Sequence, residues 1–470
     1  MDTDYWLLKR IPAAYRPGVV IGAGVVLQFT YGIVYTFGNI LPYLVSYLRW
    51  KVDPTQTSGS MIWLQSAMSG IPFSMLLGGY LERKVGARMG ALIGSTIYTC
   101  ATLSSYYTIQ HSYFGLLVTL GLFGAFGQGI AYNCVLIQAQ RWLPDRVGLA
   151  SGLIAAGFGC GAFLMSPIQT KFINPLNYQV NSQGYFTQID LLERVPQLFL
   201  LLGTIFGVLQ FFALFFIAQP KPQQGNDDES LLSDDLISLP EAESDVNSIT
   251  ARETLTSSTF ILLFFTLYLN AAWVQVSSGL FKAFGMKFIK DDFFLASVSS
   301  FAAMTNCLSR VAWGIIMDKT SYQSSMSVAC VTGAALMWTL PYIKYMGDQT
   351  IYFFWICAMF SIIGATYTLV PSAVHKCFGS KNFGIAYGVI QISITFSGIT
   401  SAICSQLLLP KLGYEVLFLI IGSCLAVSFL LTTLIQKTEF GNPTKNVPVT
   451  SGNDEDASLT NPNYIEDAIR

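Results

Sequence analysis

The stretch MTNCLSRVAWGIIMDK at 304–319 sets one arginine, Arg310, inside a long apolar run with no acid beside it. A guanidinium so placed has two uses. Bonded to the carbonyls and amides of neighbouring helices, it is structural. Facing a watery cavity, it holds an anion, and it grips a carboxylate through two parallel hydrogen bonds that fix orientation as well as charge. Arg310 lies eight residues before Asp318, about 12 Å along a helix at 1.5 Å per residue, a depth that suits a cavity wall. Gln128 and Tyr132, four apart in another apolar run, share one helix face. Amide and phenol groups hydrogen-bond a carboxylate while the ring walls off a small organic part. Buried tyrosine is also ordinary packing in a chain that is 14% aromatic.

These residues need a frame, and composition says which. The 470 residues are 52% hydrophobic and only 11% charged, whereas soluble domains are about a quarter charged. So few charges cannot coat a soluble globule of this size, so a polytopic membrane protein is expected. The net charge of −1 gives no basic signal for nucleic acid. The nine cysteines lie mostly in apolar runs without a CxxC pair, which argues against a zinc site or disulfide framework. With two histidines, metal or histidine chemistry has little material. No metal, no cofactor and no enzymatic activity are expected. The first residues carry acids and lack a cleavage-type region, unlike a signal peptide.

At roughly 20 apolar residues per crossing, candidate spans fall near 18–47, 58–81, 89–109, 113–138, 147–168, 196–218, 257–285, 293–317, 323–344, 351–374, 383–409 and 413–436. The expected fold class is all-α, with about twelve transmembrane helices. An even count puts both termini on one side. Placing them in the cytoplasm gives the inner segments about twice the Lys and Arg of the outer loops, in line with the positive-inside bias. Apart from Glu82 at a border and Glu415 near the start of the last candidate span, no acid falls inside a span. Lys282 sits at the outer end of its span.

The expected organisation is a cytoplasmic N-terminus over 1–17, a six-helix half over 18–218, a disordered cytoplasmic linker over 219–256, a second six-helix half over 257–436 and a disordered tail over 437–470. The linker is acidic and Ser-rich without helical apolar periodicity. The halves repeat at one offset of 236 residues: VGLASGLI at 147–154 against FGIAYGVI at 383–390, LQFT at 27–30 against LFFT at 263–266, and GGYLER at 78–83 against GIIMDK at 314–319. Paired six-span halves are the mark of a secondary transporter with its site at mid-membrane.

GGYLERKVGAR at 78–88 resembles the signature of the major facilitator superfamily between helices 2 and 3, with Glu82 for the usual Asp and one extra residue before Gly86 and Arg88. Its second-half echo is GIIMDK. The resemblance gives Gly78, Glu82, Arg83, Arg88, Asp318 and Lys319 a gating role, in which charges at helix ends pair in one access state and part in the other. Ordinary loop charge is the alternative.

RWLPDRVGLASG at 141–152 is similar to a stretch shared by oxalate/formate antiporter-like proteins and monocarboxylate transporters. GIVYTFGNILP at 32–42, FKAFG at 281–285 and NFGIAYG at 382–388 resemble motifs of the oxalate/formate group. The likeness covers nearly the whole membrane part and neither linker nor tail. It implies a first-helix aromatic at Tyr35 and a helix-10 aromatic at Tyr367. Asn306 and Arg310 have the spacing of the Asp-x-x-x-Arg of monocarboxylate transporters, which places both on one face, but the amide cannot carry a proton as that Asp would. No Lys or Arg falls in 383–409, where the oxalate/formate group has a second cation. One cation suits a monoanion.

The expected substrate is therefore a small organic anion, a monocarboxylate, moved by alternating access with Arg310, Asn306, Tyr35, Gln128, Tyr132 and Tyr367 at the site. Protons or a counter-anion are the candidate coupling species, and facilitated diffusion without coupling stands beside them. A neutral or zwitterionic metabolite, or a receptor built on the transporter fold, is the alternative. The Gly-rich runs at 121–129 and 148–161 read as close helix packing, with flexibility for rocking as the alternative. Two strings resemble sorting signals, an acidic dileucine ending at Leu231 and Leu232 and an NPxY ending at Tyr464. Chance in low-complexity sequence is the alternative; if used, the strings imply adaptor partners and a plasma or endolysosomal membrane.

Overall fold

The computed structural model describes residues 5–69, 72–143, 147–220, 251–435 and 437–438. Most of the expected linker and tail, with Leu231, Leu232 and Tyr464, lies outside the described residues, as do Asp145 and Arg146. Among the described residues there is helix and no strand. A chain this apolar must satisfy its backbone polar groups within each segment, and helices do so.

The long helices are α1 Arg16–Tyr31, α2 Phe37–Lys51, α3 Ile62–Met68, α4 Pro72–Val85, α5 Ala87–His111, α6 Gly124–Trp142, α7 Val147–Ile173, α8 Ile189–Leu214, α9 Ser258–Gly285, α10 Asp292–Lys319, α11 Tyr322–Met346 and the run α12 Gln349–Ile435. A 3-10 segment, Gly32–Thr36, joins α1 to α2, and a π segment, Leu117–Phe123, precedes α6. Residues 251–256, expected in a disordered linker, form a short helix, Ala251–Thr256, with Thr254 buried. The α12 run is 87 residues long, about 130 Å if straight, several times the bilayer core. It folds back instead. Ile362 and Leu425 both pack on Gly333 of α11, and Gly413, at φ +75, permits one reversal.

Eight stretches are long and apolar enough to cross a membrane. Ala386–Ile435, at 50 residues, has the length of two crossings. The others of the expected twelve are α3 with α4, α5 and α10. They carry many Ser, Thr, Tyr or charged residues and are less apolar for that reason. The chain is thus an all-helical, multi-pass membrane protein. On α10 the apolar Leu308, Val311 and Ile315 are exposed while Asn306 and Ser309 are buried, the pattern of a helix with lipid on one side and a polar interface on the other.

The helices before residue 220 pack among themselves, as do those after 251, and the two sets meet along α2 with α9, α7 with α10, and α3 with α12. Every described hydrogen bond or ion pair between the sets lies at Arg310 or beyond it toward the end opposite the termini. They include Ser166 with Ser299 at 3.1 Å, Gln65 with Ser278 at 2.8 Å, Gln275 with Ser69 at 2.9 Å and Trp63 with Gln406 at 2.7 Å. This far end is closed.

Candidate functional site

Arg310 stands on the inward face of α10, partly exposed. The ring nitrogen of Trp313, one turn on, donates to the Ser361 carbonyl at 3.0 Å and fixes that part of the helix. Arg310 Nη2 donates to the Tyr35 hydroxyl at 2.7 Å, and Nε lies 3.4 Å from Asn306 Oδ1. The guanidinium carbon is 5.5 Å from the Tyr367 ring centre and 5.9 Å from that of Tyr35, within cation–π range.

Tyr35 reaches Arg310 from the 3-10 segment. Gly32 opens that segment against α7, where a Cβ would stand 2.6 Å from the Phe158 carbonyl oxygen. Thr36 closes it, donating to the Ile33 carbonyl at 2.9 Å and accepting from Gln169 at 2.9 Å. A tightened turn in mid-helix is where a chain re-aims a side chain. Phe158 meets the Tyr35 ring edge-on at 6.2 Å and the Tyr132 ring at 5.6 Å. Tyr132 and Tyr387 both lie close enough to Arg310 to interact with it electrostatically.

The structure therefore brings together Arg310, Asn306, Tyr35, Tyr132 and Tyr367. Gln128 is partly buried, and no described contact joins it to the group. Phe158 and Tyr387 belong to the wall and were not expected there. Tyr387 falls inside NFGIAYG and Phe158 inside the Gly-rich run 148–161, so each carries a signal in the sequence. Among the described residues Arg310 has no acid partner: the described ion pairs are Glu82–Arg141, Lys282–Asp292 and Lys344–Glu415.

Sequence reading left Asp292 outside the expected spans, and the structure makes it part of the interface. Asp292, one residue before the expected eighth span, is buried inside α10 and pairs with Lys282 at 2.8 Å. Lys282 lies in the last turn of α9, at the outer end as expected, and there it is wholly buried and paired. Both are buried because Asn39, Tyr43 and Asn174 of the other set pack over the pair.

At the termini end, buried Glu82 takes Arg141 in a fork, Nη1 to Oε1 at 2.6 Å and Nη2 to Oε2 at 3.2 Å, and accepts from Gln219 at 3.2 Å. Arg88 donates to the Ile217 carbonyl at 2.7 Å and lies 3.5 Å over Tyr5. Gly78 packs on Ile130. Arg83 and Lys319 are exposed, and the Asp318 side chain lies outside what is described. These contacts tie α4, α6 and the segment after α8 within one set of helices.

The profile of the Major Facilitator Superfamily matches residues 23–399. The chain belongs to this superfamily. It is similar to Apicoplast pyruvate carrier 1 of Toxoplasma gondii, 26% identical over 86% of each chain. It is 27% identical to the Oxalate:formate antiporter of Oxalobacter formigenes, over 78% of this chain and 80% of that one. Matches to monocarboxylate transporters cover 25% to 35% of this chain. Among solved structures, a D-xylose-proton symporter shares the fold with a TM-score of 0.68 at 10% identity, over 90% of this chain and 97% of that chain. As a major facilitator the chain is a membrane transporter, and its likeness to the oxalate/formate and monocarboxylate groups stands.

Proposed function

We propose that this transporter moves a small monocarboxylate by alternating access and that Arg310 holds the carboxylate. The observation that carries the reading is the charge of the interface. Lys282 is cancelled by Asp292, while Arg310 is bonded only to neutral groups, Tyr35 and Asn306, among the described residues. One free positive charge at mid-membrane suits one carboxylate. Tyr35, Tyr132, Phe158, Tyr367 and Tyr387 give the organic part apolar walls with phenol edges, as in pockets for small ligands. The relatives named as carriers of pyruvate and of oxalate and formate support an organic anion.

The test is uptake of labelled lactate, pyruvate, formate and oxalate into proteoliposomes, wild type beside Arg310→Gln, with and without an inward proton gradient. A monocarboxylate is taken up by wild type and not by the variant, and the gradient arm shows whether protons are coupled. Uptake of none of these acids by well-folded protein, or equal uptake by the variant, refutes the reading.

A further inference from the structure

Beyond Arg310 the interface holds a second charged cluster. Lys282 on α9 and Asp292 on α10 belong to the same set of helices, and their side chains are 0% and 2% exposed. Their other partners come from the opposite set and are all neutral. Lys282 Nζ donates to Asn39 Oδ1 at 2.8 Å and to the Tyr43 hydroxyl at 3.2 Å. Asp292 Oδ2 accepts from the Tyr43 hydroxyl and from Asn174 Nδ2, the latter at 2.7 Å. Asn177 accepts from the Asp292 backbone amide at 3.0 Å and donates to Asp291 at 3.1 Å.

A buried ion pair is tolerable only where its remaining lone pairs and protons are bonded, because two charges have left water. Here those bonds cross the interface. When the far end parts, the pair stays whole and exchanges Asn39, Tyr43 and Asn174 for water. Such a seal is tight when shut and yet easy to open, unlike an apolar seal of equal area, whose opening exposes hydrocarbon. Tyr35, Asn39 and Tyr43, four residues apart, present one face. Tyr35 takes Arg310, Asn39 takes Lys282, and Tyr43 touches both charges of the pair.

We propose that Lys282 and Asp292 are the latch that seals the far end, and that the Tyr35–Asn39–Tyr43 face ties it to the Arg310 site. The latch stands without any assumption about substrate, whereas its tie to transport rests on the function proposed above. The test therefore begins without substrate, by hydrogen exchange and mass spectrometry on the purified full-length protein. Asp292→Asn and Lys282→Gln each leave one buried charge unpaired. Far-end peptides covering 39–48 and 170–178 are expected to exchange about tenfold faster or more, with α4 to α6 peptides at the termini end unchanged. In the double variant Lys282→Met with Asp292→Leu no charge is left to hydrate. Its far end is expected to exchange no faster than wild type, and its uptake to be slower. Unchanged exchange in both single variants overturns the latch. So does a double variant as open as the singles, or an increase equal at both ends, which marks a merely structural pair.

Discussion

Arg310→Lys separates charge from geometry. The guanidinium has five N–H donors in a fixed fork. The structure commits one Nη2 proton to Tyr35 at 2.7 Å and turns Nε toward Asn306 at 3.4 Å, leaving the Nη1 edge and a second Nη2 proton for a bidentate carboxylate. Lysine keeps the charge on one nitrogen and cannot serve Tyr35 and both carboxylate oxygens in one plane. The loss is about one charge-assisted hydrogen bond, roughly 1.5–3 kcal/mol, or about a tenfold to 150-fold rise in KM or Kd. Insertion costs of the two residues are alike, so expression and melting should match wild type. The assay is initial uptake rate against concentration in proteoliposomes, with Arg310→Gln beside it. Wild-type kinetics within about twofold would refute a fork on the carboxylate. A lysine variant as inactive as the glutamine variant, with both folded, would refute the argument that charge carries most of the binding.

Two other outcomes follow from the same geometry. Asn306→Asp sets a carboxylate beside the guanidinium and supplies internally the anion that the substrate brings. Uptake at neutral pH is expected to fall about tenfold or more, and a pH profile superimposable on wild type would place residue 306 away from the site. Gly32→Ala drives a methyl against the Phe158 carbonyl and so disturbs the segment that aims Tyr35. The strain is about 1–3 kcal/mol, read as a lowered melting temperature together with a raised KM, and an unaffected KM would free Tyr35 from that segment.

The spans were legible because apolar length is a strong signal in a bilayer. The expected 257–285 and the observed Ser258–Gly285, capped by Ser257 onto Phe260, nearly coincide. The pairing of Arg310 with Asn306 was legible too, since helical spacing sets it. What was not legible depends on contacts between distant segments. The 3-10 turn at Gly32–Thr36 lies close against α7 at Gly32, and nothing local to GIVYT announces that contact. Asp292 looked like a loop acid, since burial of a residue at a helix start depends on what packs over it, here Asn174 and Tyr43 from the other set. Gln128 and Tyr132 share a face by spacing, yet only Tyr132 is drawn to the arginine, because Phe158 on α7 bridges it to Tyr35.

Lys282 and Arg310, both at the interface, differ in one respect that the proposed reading uses. Lys282 brings its own anion, so burying it leaves no net charge and the far end can shut whether or not substrate is present. Arg310 does not. Closing both ends around an unpaired guanidinium leaves a charge in a dry interface, which is costly, whereas a bound carboxylate removes the net charge and adds two hydrogen bonds. On that reading the occluded state forms most readily around a loaded site. Had Asn306 been an acid, the site would be neutral when empty and the anion would have to displace it. An amide at 306 keeps Arg310 in place and leaves its charge for the substrate.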